Sequence, residues 1–192
     1  MVIGVMGGIG SGKSEVLNYM ETKHHATIIE ADKIAHDILL NDESVKSQAK
    51  KLFPDAFNGD EIDTDKMADI VFNDPNKLEA LNSLTHPPTI NEIINQITNA
   101  KSKYVVVESA LFLGEEVADL TDELWFIYCD KKERIRRLIE TRGYSKEKAV
   151  AIIANQPNDE DYNSAADEFI DNTGDFDKTI EQVDFALSTM EC

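Results

Sequence analysis

The sequence predicts a three-layer α/β fold, in which helices cover both faces of a parallel sheet. Three observations support this prediction: strand-like apolar runs alternate with helical patterns, a glycine-rich turn joins the first such pair, and acidic residues end two of the runs. The chain has 192 residues, a length that suits one domain built on one main core. We therefore expect residues 1–192 to form a single domain.

The elements of the core follow from local pattern. Runs rich in β-branched and aromatic residues, bounded by glycine or charged residues, predict strands. The predicted strands cover residues 2–6, 27–30, 104–108, 124–128 and 168–170. Apolar residues at helical spacing predict helices over residues 14–23 and 33–40. The alternation of these elements implies parallel pairing.

Two segments depart from the alternation. Residues 42–102 are predicted to be a helical lobe inserted between the second and third strands. The turn signals within it are Pro54, Asn58–Gly59, Asp74–Pro75 and Pro87–Pro88. Residues 131–155 are predicted to be a charged helix, a break at Gly143, and a second helix capped by Ser145. We interpret this second segment as a lid region.

Composition excludes several function classes. Lys and Arg number 19 against 37 Asp and Glu, a net charge of −18, which argues against general binding to nucleic acid or anionic membranes. Two cysteines are too few for a disulfide framework. The N-terminal apolar run is short and lacks a basic flank, and no apolar stretch is long enough to span a bilayer. We expect a cytoplasmic protein that is a monomer or a weak homo-oligomer.

The strongest motif follows the first predicted strand. Residues 7–14, Gly-Gly-Ile-Gly-Ser-Gly-Lys-Ser, match the phosphate-loop pattern GxxxxGK[ST] completely. Glycines let backbone N–H groups approach phosphate oxygens, Lys13 adds a point charge, and Ser14 offers a hydroxyl to Mg²⁺. The residues predicted to bind ATP here are Gly8, Ile9, Gly10, Ser11, Gly12, Lys13 and Ser14.

Acidic residues follow two predicted strands at the edge where ligands bind in such sheets. Glu108 ends the run Tyr104-Val105-Val106-Val107, and with Ser14 and Glu30 it is predicted to support Mg²⁺. Asp32 is predicted to orient an attacking hydroxyl or to accept its proton. The alternative for Asp32 is a structural N-cap of the helix that follows.

All four arginines of the chain lie within nine residues, at positions 134, 136, 137 and 142. Arginine pairs with phosphate through two parallel hydrogen bonds and keeps its charge when desolvated. Arg134 and Arg137 share a helix face that excludes Arg136, so we expect two or three arginines to reach a nucleotide. The alternative is a solvated helix with ion pairs such as Glu133 with Arg137.

Taken in order, these and several weaker motifs resemble the dephospho-CoA kinase family over nearly the whole chain. The matching segments are the loop at 7–14, Glu30 to His36, Val71-Phe72, Leu84 to Pro87, Arg137-Leu138, Ser145 to Gln156, Ala166-Asp167 and Asp171 to Gly174. The resemblance implies a P-loop fold like that of the nucleoside-monophosphate kinases, with an inserted substrate lobe and a lid. It also implies phosphorylation of the ribose 3′-hydroxyl of dephospho-CoA by ATP, with Mg²⁺.

The resemblance further implies residue roles. Asp32, Lys13 and Arg137 would be catalytic. Arg134, Arg137, Arg142, Asn172 and Gly174 would bind ATP beside the loop. His86 and Glu108, together with Asp32, would contact the acceptor.

The chain also departs from the family pattern at several positions. Glu30 stands where the family usually has Asp, Thr64 where it often has Arg, and Tyr162 where it often has Lys; residues 110–114 weaken another segment, and Arg142 is displaced by one residue. Most of these departures concern the acceptor side. Two alternatives therefore stay open: another small-molecule P-loop kinase, or a nucleotide- or CoA-binding protein without catalytic activity.

Overall fold

The described part of the chain, in this computed structural model, comprises residues 1–109 and 115–190. Its strands are β1 (Val2–Met6), β2 (Thr27–Glu30), β3 (Phe57–Asn58), β4 (Glu61–Ile62), β5 (Val105–Glu108), β6 (Glu123–Tyr128) and β7 (Glu168–Asp171). Its helices are α1 (Lys13–His24), α2 (Ala31–Asn41), α3 (Glu43–Leu52), α4 (Thr64–Phe72), α5 (Pro75–Asn99), α6 (Glu115–Ala118), α7 (Lys131–Arg142), α8 (Lys146–Ala154), α9 (Asp159–Ala165) and α10 (Phe176–Thr189). The departure at residues 110–114 lies outside the described residues.

The main sheet has five parallel strands in the order β2-β5-β1-β6-β7. Every strand predicted for the core is present, with ends that differ by at most one residue. The register pairs Val5 with Glu108 and Glu30 with Glu108, so the two acidic strand ends lie side by side. None of the described helices is both long and apolar enough to cross a membrane.

Both faces of this sheet are covered, as the predicted three-layer class requires. On one face, β-strand residues such as Ile3 and Trp125 pack with Val16 of α1 and Val183 of α10. On the other face, Met6 and Phe126 pack with Tyr162 of α9. Successive residues of a strand point to opposite faces, which is why Trp125 and Phe126 belong to different clusters.

The chain forms two compact units, residues 1–30 with 99–192 and residues 31–98. The second unit has its own core, in which Val45 and Ala49 of α3 pack with Met67 and Val71 of α4. The lobe predicted from the sequence begins at residue 42, whereas this unit also includes α2. The role of the unit in binding substrate stays a prediction.

One turn prediction is wrong. Pro87 and Pro88 lie inside α5, which runs from Pro75 to Asn99 without interruption. An internal proline costs a helix about 3 kcal/mol. The buried residues Thr85, Thr89 and Ile93 lie four residues apart on one face of α5, and we attribute the continuity of the helix to burial of that face. The signals at Pro54, Asn58–Gly59 and Asp74–Pro75 do mark a 3₁₀ turn, a hairpin and a helix boundary.

The segment interpreted as a lid has the expected local structure. Helix α7 ends at Gly143, whose φ of 64° is left-handed. Helix α8 begins after Ser145, whose hydroxyl accepts the N–H of Lys148 at 3.1 Å. The two helices pack through Leu138, Ala149 and Ile153.

Candidate active site

The phosphate loop joins β1 to α1 at the carboxyl end of the central strand. Gly12 has a φ of 88° and precedes the first residue of α1, so a side chain here would strain the backbone. A Cβ at Gly12 would also overlap the side-chain amide of Asn172. Glycine is therefore required at this position both by conformation and by space, and α1 begins with Lys13 and Ser14 at its N-terminus.

Lys13 lies between the loop and the acidic strand ends. Its Nζ donates to the Gly7 carbonyl at 2.6 Å and is 3.4 Å from Glu108 Oε1. Glu108 in turn is the register partner of Glu30 on the neighbouring strand β2. The structure thus places Lys13, Glu108 and Glu30 at one end of three adjacent strands, and their predicted roles toward ATP and Mg²⁺ stay predictions.

The donor set at this edge suits a hard cation. Mg²⁺ binds through one or two carboxylates, a hydroxyl, waters and the phosphates of a substrate. Glu108 and Glu30 offer carboxylates and Ser14 a hydroxyl. No cluster of three or more His, Cys, Asp or Glu side chains suited to a metal occurs among residues 1–109 and 115–190. These residues fit a Mg²⁺ that arrives with a nucleotide better than a metal held by protein ligands alone.

The carbonyl and the hydroxyl of Ser11 have different environments. The Ser11 carbonyl accepts from Asn172 Nδ2 at 2.8 Å and from Arg137 Nη1 at 3.2 Å. The Ser11 hydroxyl is buried and has no hydrogen-bond partner within the described ranges. Buried polar atoms in folded proteins nearly always have a hydrogen-bond partner, so this hydroxyl suits a loop that binds a polar ligand. The loop is therefore braced by side chains and still has a polar atom to satisfy.

Asn172 follows β7 and is almost fully buried. Its Oδ1 accepts from the Thr179 hydroxyl at 2.9 Å, which orients the amide so that Nδ2 points to the loop. Gly174, predicted from the same segment, is exposed two residues further on. The structure therefore places Asn172 against the loop, while the prediction that Gly174 binds ATP stays a prediction.

The four arginines of α7 divide into two groups. Arg134 donates through Nε to the Ile9 carbonyl at 2.9 Å, and Arg137 donates through Nη2 to the Asn172 carbonyl at 2.8 Å. Arg136 is more than half exposed and pairs with Glu133 and Glu140. Arg142 is exposed in the last turn of the helix. Arg134 and Arg137 contact the loop, and Arg136 has the surface role that the alternative interpretation described.

Glu133 orients two of these arginines. It accepts from Arg136 at 2.5 Å and from Arg137 Nε at 3.0 Å. These hydrogen bonds, first that of Arg136 and then that of Arg137, lower the pKa of Glu133 to about 2. Glu133 is therefore ionised at any physiological pH and holds Arg137 toward the loop.

Two contacts to the loop were not predicted from the sequence. Gln156 Oε1 accepts the Ile9 N–H at 2.8 Å and also accepts from Arg134 Nη2 at 3.0 Å. Asp159 lies 3.4 Å from Arg134 Nη1. No local pattern marks these side chains, because Gln156 is 147 residues away from the loop residue that it contacts.

Asp32, His86 and Thr64 lie in the unit formed by residues 31–98. Asp32 is exposed in the first turn of α2, which begins at Ala31, so it does not occupy the N-cap position before Lys33. His86 is exposed within α5. Thr64 is the first residue of α4, directly after the cap Asp63. The predicted roles of Asp32 and His86 toward an acceptor stay predictions.

Tyr162, which stands where the resembling family often has lysine, is fully buried. Its ring stacks on Phe126 with centroids 5.1 Å apart. Burial raises the pKa of its hydroxyl, and the positive charge of Arg134 opposes that rise. Tyr162 therefore packs against the sheet and remains neutral near pH 7.

A parallel sheet of this order, with a complete phosphate loop and an arginine-bearing helix against it, is the framework of P-loop phosphotransferases. Comparison with solved structures supports this description of the fold. The fold superposes on that of TT1252 from Thermus thermophilus with a TM-score of 0.87 and 26% identity, over 99% of this chain and 97% of that one. A shikimate kinase from Bacteroides thetaiotaomicron has a TM-score of 0.55 at 11% identity, over 100% and 99% of the two chains, and shares the fold.

The comparison with protein families is more specific than the comparison of folds. The family model described as dephospho-CoA kinase matches residues 1–178, and the chain belongs to that family. A dephospho-CoA kinase from Carboxydothermus hydrogenoformans is 35% identical over 95% of this chain and 90% of its own length. The solved dephospho-CoA kinase from Campylobacter jejuni has a TM-score of 0.70 at 25% identity, over 98% and 96% of the two chains. The chain is thus a kinase by family, as its motifs predicted.

Proposed function

We propose that this protein transfers the γ-phosphoryl group of ATP to the ribose 3′-hydroxyl of dephospho-CoA, giving CoA and ADP. Membership in the family over residues 1–178 supports the reaction. The observation that carries it in the structure is Lys13, held between the phosphate loop and Glu108. This position lets the Lys13 ammonium reach the phosphates of a nucleotide held by the loop, which is the role of the lysine in P-loop enzymes.

Phosphoryl transfer needs positive charge around the γ-phosphoryl group and little covalent chemistry from the protein. Lys13 supplies charge at the loop, and Arg137 adds a guanidinium fixed by Glu133 and by the Asn172 carbonyl. Ser14, Glu108 and Glu30 would hold Mg²⁺. The ion neutralises phosphate charge and orients the transferred group when it is bound.

Asp32 is proposed to orient the acceptor hydroxyl. It lies two residues after Glu30, the last residue of β2, and its exposed carboxylate is in the first turn of α2. Because the transition state is loose, placing the hydroxyl in line matters more than removing its proton early. Asp32 therefore acts as an orienting residue that receives the proton as the new bond forms.

The decisive assay measures ADP release with Mg·ATP and, in turn, dephospho-CoA, adenosine, AMP and shikimate as acceptors. We expect stimulation by dephospho-CoA alone. Asp32→Asn should lower kcat by about 10²-fold, a size typical of a lost acid–base or orienting group, with the KM for ATP unchanged. Asp65→Asn is the matched control, since Asp65 also lies in the first turn of a helix of the same unit.

Two outcomes would contradict this assignment. Stimulation by shikimate or AMP in place of dephospho-CoA would make the protein a different small-molecule kinase. ATP binding without turnover on any of the acceptors would indicate a binding protein without this activity.

The unit of residues 31–98 offers a place for the acceptor's neutral arm. A cleft of about 670 Å³ opens between α2 and α5. Its lining comprises Lys33, Ile34, Asp37, Ile38, Asn41, Asp42, Pro88, Asn91, Glu92, Asn95 and Gln96. Three carboxylates against one lysine disfavour phosphate, while four side-chain amides suit the amide groups of a pantetheine arm.

A substitution that fills this cleft tests whether the pantetheine arm of the acceptor binds there. Asn91 is exposed on α5 and lines the cleft, so Asn91→Phe should raise the KM for dephospho-CoA by about 10-fold and leave the KM for ATP unchanged. Asn82→Phe is the control on the same helix, because Asn82 is not among the lining residues. Equal KM values for the two variants would remove the cleft from the acceptor site.

A further inference from the structure

Arg134 stands out because it is a buried cation. It is 4% exposed, and it is the one charged side chain that is buried within residues 1–109 and 115–190. Burying a charge costs free energy unless hydrogen bonds and an opposite charge compensate for it. Its acidic partner is weak, because Asp159 is 3.4 Å away and its side chain is 42% exposed. The other contacts of this guanidinium must therefore account for its position.

Those contacts converge on one residue of the phosphate loop, Ile9. Arg134 Nε donates to the Ile9 carbonyl at 2.9 Å, and Gln156 Oε1 accepts the Ile9 N–H at 2.8 Å. Arg134 Nη2 also donates to the same Gln156 oxygen at 3.0 Å. Both backbone groups of Ile9 are thus fixed by a single pair of side chains that hold each other in place.

The preceding glycine makes this contact possible. A Cβ at Gly8 would overlap the guanidinium of Arg134. Gly8 stands at a variable position of the phosphate-loop pattern, and its lack of a side chain makes room for the guanidinium of Arg134. The guanidinium lies directly against the loop backbone and is almost closed to solvent.

We propose that Arg134 is a positioning residue, which with Gln156 fixes the Gly8–Ile9 turn in its phosphate-binding shape without contacting the nucleotide. This differs from the expectation that Arg134 binds ATP directly. The proposal rests on the loop being the nucleotide site, as the proposed function holds, and it does not depend on the identity of the acceptor.

A positioning role has a distinct kinetic signature. A loop that must be ordered at the moment of binding costs affinity for every ligand of the loop. Arg134→Gln should therefore weaken Mg·ADP binding by about 10-fold or more and raise the KM for ATP similarly. Its kcat at saturating ATP should stay within about 3-fold. A residue that touches the γ-phosphoryl group would show the opposite pattern, with a large loss in kcat and normal ADP affinity.

The experiment measures Mg·ADP affinity by calorimetry and amide hydrogen exchange in a peptide that covers residues 7–14, without nucleotide. Four proteins are compared: the parent, Arg134→Gln, Gln156→Ala and Arg136→Gln. Arg136 is the control, since it lies on the same helix and pairs with Glu133 and Glu140 at the surface. We expect faster exchange of the loop amides and weaker ADP binding in the first two variants only.

Arg134→Lys is added as a fifth protein, so that the proposal can still be tested if Arg134→Gln does not fold. This substitution keeps the charge but removes the planar guanidinium that donates to both Ile9 and Gln156, so the loop should again be less ordered. ADP affinity within 2-fold of the parent, or unchanged loop exchange in the folded variants, would overturn the proposal. A parent protein that binds no Mg·ADP would instead overturn the proposed function, so the two failures are distinguishable.

Discussion

At the scale of single residues, glycine is required in the phosphate loop for two separable reasons. Gly12 has a φ of 88°, and a Cβ there would overlap Asn172. Gly12→Ala should therefore lose Mg·ATP binding by more than 10-fold, because it combines strain of about 1 kcal/mol or more with displacement of the amide from the Ser11 carbonyl. Calorimetric titration checks the loss.

The matched control is Gly59→Ala. Gly59 has a φ of 66°, and nothing lies within 4 Å of a Cβ built on it. This variant carries the strain without the overlap, so its thermal stability should fall while ATP binding is retained. If the two variants bound ATP equally well, the contact between Gly12 and Asn172 would not matter for the site.

Glu108 contacts Lys13 and also belongs to the proposed Mg²⁺ site. Glu108→Gln keeps the shape and removes the charge, so we expect a higher Mg²⁺ concentration at half-maximal rate and a kcat lowered by about 10²-fold. Titration of the rate with Mg²⁺ measures both. Glu168→Gln is the control, because Glu168 begins a strand of the same sheet at the opposite edge. An unchanged Mg²⁺ requirement in Glu108→Gln would exclude Glu108 from the metal's surroundings.

At the scale of elements, the ionisation of Glu133 in helix α7 makes the stability of the protein depend on pH. The folded-state pKa of Glu133 is about 2, below the value near 4.3 of an unfolded chain. Its contribution to stability is therefore complete above about pH 4.5 and is lost as pH falls toward 2. Glu133→Gln should be less stable than the parent to urea at pH 7, and the difference should shrink at pH 3.

Glu140→Gln provides the comparison for that series. Glu140 pairs with Arg136 at the surface and is 57% exposed, so its removal should change stability by less than about 1 kcal/mol. A stability difference for Glu133→Gln that stayed constant from pH 7 to pH 3 would contradict the assigned pKa.

The same scale shows what the sequence could predict. The strands, the phosphate loop and the cap at Ser145 were predictable because each depends on neighbours within a few residues. The contacts of Gln156 with Ile9, and of Asp159 with Arg134, join distant segments and leave no periodic signal. The turn predicted at Pro87 was wrong for a related reason, because the burial that keeps α5 intact comes from tertiary packing.

At the scale of the whole molecule, the charge is distributed unevenly. The net charge is −18, yet Lys13, Arg134 and Arg137 all contact the phosphate loop. An acidic surface repels anions in general, whereas a local cluster of cations next to backbone donors selects those that fit the loop. The sequence predicted this concentration from the spacing of the arginines, but only the fold shows which of them lie at the loop.

Ligand binding should therefore be visible in the stability of the whole molecule. A ligand at 100 times its Kd adds about 2.7 kcal/mol to the free energy of unfolding, which for a chain of this size raises Tm by about 5–10 °C. We expect such a rise with Mg·ADP in a thermal unfolding experiment. Lys13→Ala should abolish most of it, whereas Lys103→Ala, in the same compact unit and away from the loop, should retain it. An equal rise in both variants would mean that the nucleotide stabilises the protein from somewhere other than the phosphate loop.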